Sequence, residues 1–434
     1  MYYARAPDVI VRREHFGGIA FNKRNGKLVE VDREACRLLE LADGKMGLWN
    51  LVNTIETELN TNVSRSEIHQ LVTLLRSNGF LAKNTESVPI NLKPWPKRTR
   101  HLSAPETVHL ALTHRCNYHC QSCYIDTRTT KEMTTSEIEA LIEEMAEMKV
   151  FQLAIGGGEP FLREDLIEIV KYANQCGIVS NITTNGSLIT PKNVAQLSDC
   201  IGQIQLSVNG PSKKHHEANR QINSFKTVLK AIEVLQTQKI RFGMNILLCQ
   251  DNLQNIQNLI QFGVEKGAST LNFIRPKPSK PNQIWYAQSM LSSKDYRTLS
   301  LALQSAVWKY PSIQITIDCA FSFLMNKETP TSLRKRGVHG CAGAVRFISI
   351  HPNGDVYPCS FLVSPQFYGG NAITDGLTKI WHDRFHELRA THAHLTGKCR
   401  LCRTKDFCMG CRAITLHETG TLHSDDMGCF KLTL

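Results

Sequence analysis

Residues 107–124 read TVHLALTHRCNYHCQSCY, and the passage from the first third of that run to the rest decides the fold. Thr107–Leu112 is a short apolar run of strand type. It gives way at once to a polar segment carrying Cys116, Cys120 and Cys123. Downstream, similar runs recur at Phe151–Ile155, Ile178–Thr183, Gln203–Val208, Arg241–Leu248 and Thr270–Ile274, with amphipathic helices between them. Thr134 and Glu137 form a capping box before Ile138, Leu141, Ile142 and Met145, which fall at helical spacing. Strands alternating with helices predict an α/β fold with a parallel sheet, curled by right-handed crossovers into part of a barrel. Six strands, a (β/α)6 unit, fall short of the eight of a closed barrel. The three cysteines therefore sit at the C-terminal end of the first strand, where such folds place their chemistry.

Three thiolates spaced by three and then two residues can wrap one inorganic body. A four-iron cluster usually takes four thiolates, so three leave one iron open to a ligand. A structural zinc site is the alternative, but it wants a fourth close Cys or His, and His119 comes too early in the loop.

The chain has 434 residues, 42% hydrophobic and 21% charged, which excludes a disordered chain and suggests two or three domains. No apolar run approaches the ~18–20 residues of a bilayer span. The N-terminus, MYYARAPDVIVRREH, lacks an apolar core of signal-peptide length, so a cytoplasmic protein without membrane contact is expected. In that reducing compartment 15 cysteines point to metal or redox chemistry rather than disulfides. The net charge of +12 suits an acidic partner without naming one.

Seven cysteines crowd the C-terminal region: Cys341, Cys359, then Cys399-x2-Cys402-x5-Cys408-x2-Cys411, and Cys429. Paired CxxC motifs signal metal, although spacing alone does not separate zinc ribbons from iron–sulfur clusters. Cys36, Cys176, Cys200, Cys249 and Cys319 lie in apolar contexts and read as core residues.

Residues 1–85 read as a small α+β unit of winged-helix type. Asn25-Gly26 between Ile19-Ala20-Phe21 and Leu28–Val31 signals a hairpin, and a helix beginning at Ser66 carries Ile68, Leu71, Val72, Leu74 and Leu75 to Asn78-Gly79. A proline-rich linker follows at 86–105. The barrel is expected over 106–310 and the cysteine-rich region over 311–434. The helix from Ser66 offers only Arg65 and Arg76, too few cations for a DNA-reading helix, so no DNA partner is expected.

Cys116-x3-Cys120-x2-Cys123-Tyr124 resembles the signature of radical S-adenosylmethionine (SAM) enzymes. The resemblance extends through Gly157-Gly158-Glu159-Pro160, Thr184-Asn185-Gly186 and Ser207-Val208-Asn209-Gly210, each directly after a strand. It implies a [4Fe-4S] cluster on Cys116, Cys120 and Cys123. It further implies SAM contacts from Tyr124, Gly157, Gly158, Glu159, Asn185, Ser207, Asn209, Arg220 and Asn245. Where the family often has Ser-x-Asp-Gly, this chain has Asn209, an amide without charge. The implied chemistry is reductive cleavage of SAM to methionine and a 5′-deoxyadenosyl radical, with an electron donor such as flavodoxin or ferredoxin.

The C-terminal region is similar to the SPASM auxiliary-cluster domain of peptide-modifying members. That implies one cluster on Cys399, Cys402, Cys408 and Cys429, and another on Cys341, Cys359 and Cys411 with a fourth ligand unassigned, for which Cys319 is a candidate that reads better as a core cysteine. The family usually has three residues, not two, before the last of the close cysteines. Sulfatase-maturing members carry an Asp where Ser360 stands, which argues against that activity. The first 85 residues resemble the leader-binding element of ribosomal-peptide maturases, related to the pyrroloquinoline-quinone-synthesis chaperone, so a precursor peptide held by its leader is the implied partner. Met148–Pro160, Arg275-Pro276 and Asp355–Cys359 look most like the mycofactocin-maturase branch. Crosslinking, thioether formation, decarboxylation, epimerisation and excision stay open. So do a small-molecule or RNA substrate and a non-catalytic iron–sulfur or zinc protein.

Overall fold

A computed structural model describes residues 2–83, 87, 94–125, 131–324 and 340–433. By internal contacts it divides after Ser103 into two compact units.

The first unit opens with β1 (Tyr2–Arg5), β2 (Val9–Glu14), β3 (Gly17–Asn22) and β4 (Leu28–Val31). Antiparallel β2–β3–β4 is the expected hairpin with one more strand, Phe21 facing Leu28 across the Asn25-Gly26 turn, where Gly26 takes a φ of 71°. Three helices follow: α1 (Arg33–Leu41), α2 (Leu48–Leu59) and α3 (Arg65–Ser77). α3 starts at Arg65, one residue before the expected Ser66, because Ser64 and Glu67 exchange bonds in a capping box. β5 (Asp43–Gly47) and β6 (Leu81–Lys83) flank β1 in a second small sheet. Val11, Ala20, Cys36, Leu39, Leu51, Ile55, Val72 and Phe80 fill the core. The proline-rich stretch is not a free tether at its end: Trp95 packs on that core beneath Arg13, and the Ser103 amide bonds Glu14 at 2.8 Å.

The second unit begins at Ala104. Its elements are β7 (Thr107–Thr113), α4 (Thr135–Glu147), β8 (Gln152–Gly157), α5 (Leu166–Gln175), β9 (Val179–Thr184), α6 (Pro191–Ala195) and β10 (Ile201–Ser207). They continue through α7 (Lys213–Glu217), α8 (Ser224–Thr237), β11 (Phe242–Leu247), α9 (Gln250–Leu253), α10 (Ile256–Glu265) and β12 (Thr270–Ile274). The six expected strands pair in parallel in chain order, as a partial barrel requires. After α11 (Gln283–Ser289) and α12 (Ser293–Lys309) comes a strand that sequence reading missed, β13 (Gln314–Ile317), parallel to β12. It lies beyond residue 310 yet extends the barrel sheet. Four residues at a half-exposed edge leave no periodicity to detect.

At the other edge, β14 (Phe347–Ile350) pairs in parallel with β7, and β15 (Asp355–Tyr357) and β16 (Gly370–Asn371) follow antiparallel. The cysteine-rich region thus shares one ten-stranded sheet with the barrel. Strand alternation sends Ile182, Leu206, Met244, Ile246, Leu271 and Phe273 into the fully buried core. Asn181, Thr183, Gln205, Asn245 and Asn272 face the barrel interior instead.

Candidate active site

The barrel interior opens into a cavity of about 750 Å³. Its wall is built at the C-terminal strand ends, beginning with the loop after β7, which brings Cys116, Cys120 and Cys123 to the surface of the cavity. Asn185, in the loop after β9, holds this segment through a 3.0 Å bond to Asn117 and a longer contact to the Cys116 sulfur.

Two glycines explain how that loop comes so near β8. Gly157 has a φ of 108°, and a side chain on it would meet the Thr113 carbonyl oxygen at 2.2 Å. A Cβ on Gly158 would lie 2.0 Å from the Arg115 oxygen. Backbone therefore packs on backbone, with the Gly158 amide 2.7 Å from the Thr113 oxygen and the Glu159 amide 2.9 Å from that of Arg115. Both glycines line the cavity.

Glu159 does not. It is fully buried, and its carboxylate accepts from Thr184 Oγ1 at 2.8 Å, the Asn185 amide at 2.9 Å and the Phe161 amide at 3.2 Å. Burial pushes its carboxyl above the ordinary range, against those bonds. The side chain of Glu159 thus ties the β8 loop to the β9 loop.

Asn209 also lies outside the cavity lining. Its amide nitrogen donates to His216 Nδ1, its side-chain oxygen accepts from Leu247, and its carbonyl accepts from Asn252. These bonds make Asn209 a joint between the ends of β10 and β11, while its buried Nδ2 has no hydrogen-bond partner among the described residues.

Tyr124, Asn185, Ser207, Arg220 and Asn245 all reach the cavity. Asn245 is part of an amide ladder, donating to Thr183 at 3.3 Å and accepting from Asn272 at 3.1 Å, while Asn272 accepts from Thr316. Tyr124 packs its ring 4.6 Å from Phe361, and burial pushes its phenol to about 12.

The donor set fits the expected groups. Burial raises the thiols of Cys116 and Cys123, so their thiolates need a nearby cation such as iron. Arg220 lines the same cavity with its buried Nε lacking a partner, suited to the carboxylate of an amino-acid ligand. Among the described residues, no three His, Cys, Asp or Glu side chains close on a single ion, the arrangement a zinc site needs.

Cys341, Cys359 and Cys411 line the cavity beside the first three cysteines. The Ala344 amide reaches both the Phe347 oxygen at 2.8 Å and the Pro358 oxygen at 3.1 Å, which folds the Cys341 turn onto the Cys359 strand end. Cys399, Cys402, Cys408 and Cys429 form a separate group off the cavity. Burial first, then the neighbouring Cys429, Asp426 and Cys399 charges, push Cys408 to about 12 against the bond from the Gly410 amide. The sequence assigned no site role to Arg275, Lys277 and Asp318 and placed Cys319 by preference in the core, yet all four face the cavity. Their signal was position: they immediately follow β12 and β13, at the same end of the barrel as the first cysteines.

Comparison with known proteins gives two family matches, the Radical SAM superfamily over residues 110–263 and the SPASM iron-sulfur cluster-binding domain over 341–403. An AdoMet-dependent heme synthase of Methanosarcina barkeri is 28% identical over 345 residues, 75% of this chain and 97% of that one. Mycofactocin maturase MftC of Mycolicibacterium smegmatis is 28% identical over 343 residues, 76% of this chain and 84% of its own. Among solved structures, Streptococcus suis SuiB bound to precursor peptide SuiA shares the fold, with a TM-score of 0.74 at 18% identity over 98% of this chain and 99% of that one.

Proposed function

Because the chain belongs to the radical SAM enzymes that carry a SPASM domain, and so binds SAM and iron–sulfur clusters, we propose that it modifies a ribosomally made precursor peptide inside the barrel cavity. The observation that carries this reading is the charge balance of the cavity. Arg346 pairs with Glu106 at 2.6 Å, Lys277 with Asp318, and Arg275 with Asp426 at 2.6 Å. Among these cations Arg220 alone keeps a buried nitrogen without a partner, and the SAM carboxylate accounts for it. The remaining polar wall is uncharged, with the amides of Asn181, Asn185, Gln205, Asn245, Asn272 and Asn282 among hydroxyls such as Thr183 and Ser207. A neutral, amide-rich wall suits peptide main chain and uncharged side chains. A tetrapyrrole with several carboxylates, the substrate type suggested by the heme-synthase relative, wants cations that are not already neutralised.

When bound, the first cluster and SAM supply a primary carbon radical able to take hydrogen from an unactivated carbon. The residues of the chain do the rest. Cys116, Cys120 and Cys123 hold the cluster, Gly157 and Gly158 hold their loop, and Glu159 and Asn185 fix the neighbouring strand end. Arg220 and Ser207, which line the same cavity, would orient the cofactor. The buried strands exclude water around the reacting carbon.

In the first unit β2 and β4 are the edge strands of their sheet. An extended leader peptide would add along such an edge by main-chain bonds. The electron donor is taken to be a flavodoxin or ferredoxin, whose acidity suits a chain of net charge +12. No helix of the described residues is long and apolar enough to cross a membrane, consistent with the cytoplasmic location proposed here.

The test is anaerobic turnover of the reconstituted full chain with SAM, dithionite and the precursor peptide encoded nearest its gene, read by mass spectrometry. A SAM-dependent mass change in the peptide is expected. Modification of a carboxylated porphyrin but not of the peptide would replace this reading with the tetrapyrrole one.

A further inference from the structure

Seven thiols open into the barrel cavity: Cys116, Cys120, Cys123, Cys319, Cys341, Cys359 and Cys411. Three belong to the loop after β7. The four that remain are a complete thiolate set for a four-iron cluster. Cys399, Cys402, Cys408 and Cys429 make a second complete set away from the cavity.

We infer that Cys319 is the fourth ligand of the auxiliary cluster held by Cys341, Cys359 and Cys411, so that this cluster keeps no iron free for the substrate. The inference rests on the presence of auxiliary clusters, which the family assignment brings.

Cys319 was expected in the core, and its surroundings contradict that. Cys36 and Cys249 are sealed at 0% and 1% exposure, whereas Cys319 is open to the cavity. It begins a short 3-10 turn, Cys319–Leu324, directly after β13 and Asp318. Asp318 fixes the start of that turn, accepting from the Ala320 amide at 3.0 Å and the Arg275 amide at 3.3 Å, and pairing with Lys277.

One guanidinium then joins the turn to the C-terminal cysteines. Arg275 Nη1 donates to the Ala320 carbonyl at 3.2 Å and to Asp426 at 2.6 Å. Asp426 in turn accepts from the Cys411 amide at 2.8 Å. Cys319 and Cys411 are thus held through a chain of buried bonds, as ligands of one cluster must be before it is loaded. Ala320 and Cys411 also share a packed cluster, with Cys359 against it. A free thiol in this place would be a hydrogen-atom donor facing the carbon radicals that the enzyme makes. Ligation removes that hazard.

The experiment uses the full chain carrying Cys116→Ala, Cys120→Ala and Cys123→Ala, which removes the first cluster and leaves the auxiliary ones. After anaerobic reconstitution about eight irons per chain are expected. Absence of iron here would refute the auxiliary clusters themselves and so the premise rather than the ligand. Cyanide, a small iron ligand, is then added to the reduced protein and the paramagnetic resonance spectrum recorded. With Cys319 present the spectrum should not move. With Cys319→Ala added, either one signal shifts on cyanide addition or about four irons are lost, while Cys249→Ala does neither. A cyanide shift with Cys319 intact, or a Cys319→Ala spectrum and iron content equal to those of its parent, overturns the assignment. So does equal iron loss in Cys249→Ala.

Discussion

Arg275 and Asp426, 151 residues apart in sequence, meet in a fully buried two-pronged ion pair at 2.6 and 2.8 Å. Arg275 immediately follows barrel strand β12. Asp426 also accepts from the amides of Cys411 at 2.8 Å and Gly428 at 3.0 Å. One carboxylate therefore positions a cysteine of the cavity group and the residue before Cys429 in the other group, and anchors both to the barrel.

Asp426→Asn leaves the Arg275 charge buried without its partner, a loss worth ~3–5 kcal/mol for a desolvated pair. A large fall in melting temperature is expected, together with iron content reduced towards that of the first cluster alone. Thermal melts and iron assays of the reconstituted variant measure both. Full auxiliary iron in Asp426→Asn would show that the pair does not organise the cluster sites.

Gly156, Gly157 and Gly158 are adjacent, yet they should respond differently to alanine. A Cβ on Gly156 meets nothing within 4 Å, whereas one on Gly158 lies 2.0 Å from the Arg115 oxygen, in the loop of the first three cysteines. Gly158→Ala is expected to lose about one third of the iron and most 5′-deoxyadenosine formation, while Gly156→Ala keeps its iron. Iron content and chromatographic assay of 5′-deoxyadenosine decide the point.

Much of this was legible in sequence where local signals were strong. The run from Thr107 to Tyr124 placed both strand and cluster loop, and Thr134 with Glu137 fixed the start of α4. What escaped depends on contacts between distant segments. Nothing local tells that Glu159 will spend its carboxylate on Thr184 and Asn185, or that the Asn209 side-chain oxygen will accept from the Leu247 amide. Cys319 was misread because its neighbours Ala320, Phe321 and Phe323 are truly core residues, while the thiol at the head of the turn faces the other way.

His216 supplies a pH prediction. It is fully buried, its Nδ1 accepts from the Asn209 amide, and burial, then the charge of Arg220, hold its pKa down at about 3 against the ordinary 6.5. The unfolded chain takes up a proton below 6.5 that the folded chain refuses until about 3. Its contribution is therefore intact above 6.5 and is lost as pH falls towards 3. His216→Asn, which keeps an acceptor for the Asn209 amide, should be less stable at pH 7 but lose stability less steeply between pH 6.5 and 4. Urea unfolding of the cluster-free chain at several pH values checks this, and parallel slopes for the two proteins would exclude His216 as a source of the acid sensitivity.

The two walls of cysteines should separate two activities. Cys120 lines the cavity beside Arg220 and Ser207, so Cys120→Ala should abolish 5′-deoxyadenosine formation and peptide modification together. Cys402 lies off the cavity, its sulfur 3.2 Å from the Thr404 hydroxyl, in the group with Cys399, Cys408 and Cys429. Its loss disturbs a cluster that the SAM site does not touch. Cys402→Ala is therefore expected to retain most SAM cleavage while peptide modification drops by about tenfold or more, an uncoupling seen as 5′-deoxyadenosine formed without modified peptide. Chromatography of the nucleoside and mass spectrometry of the peptide from the same reaction measure the two yields. Equal loss of both in a Cys402→Ala protein that still melts like the parent would show that the distant group serves the first cluster rather than the substrate.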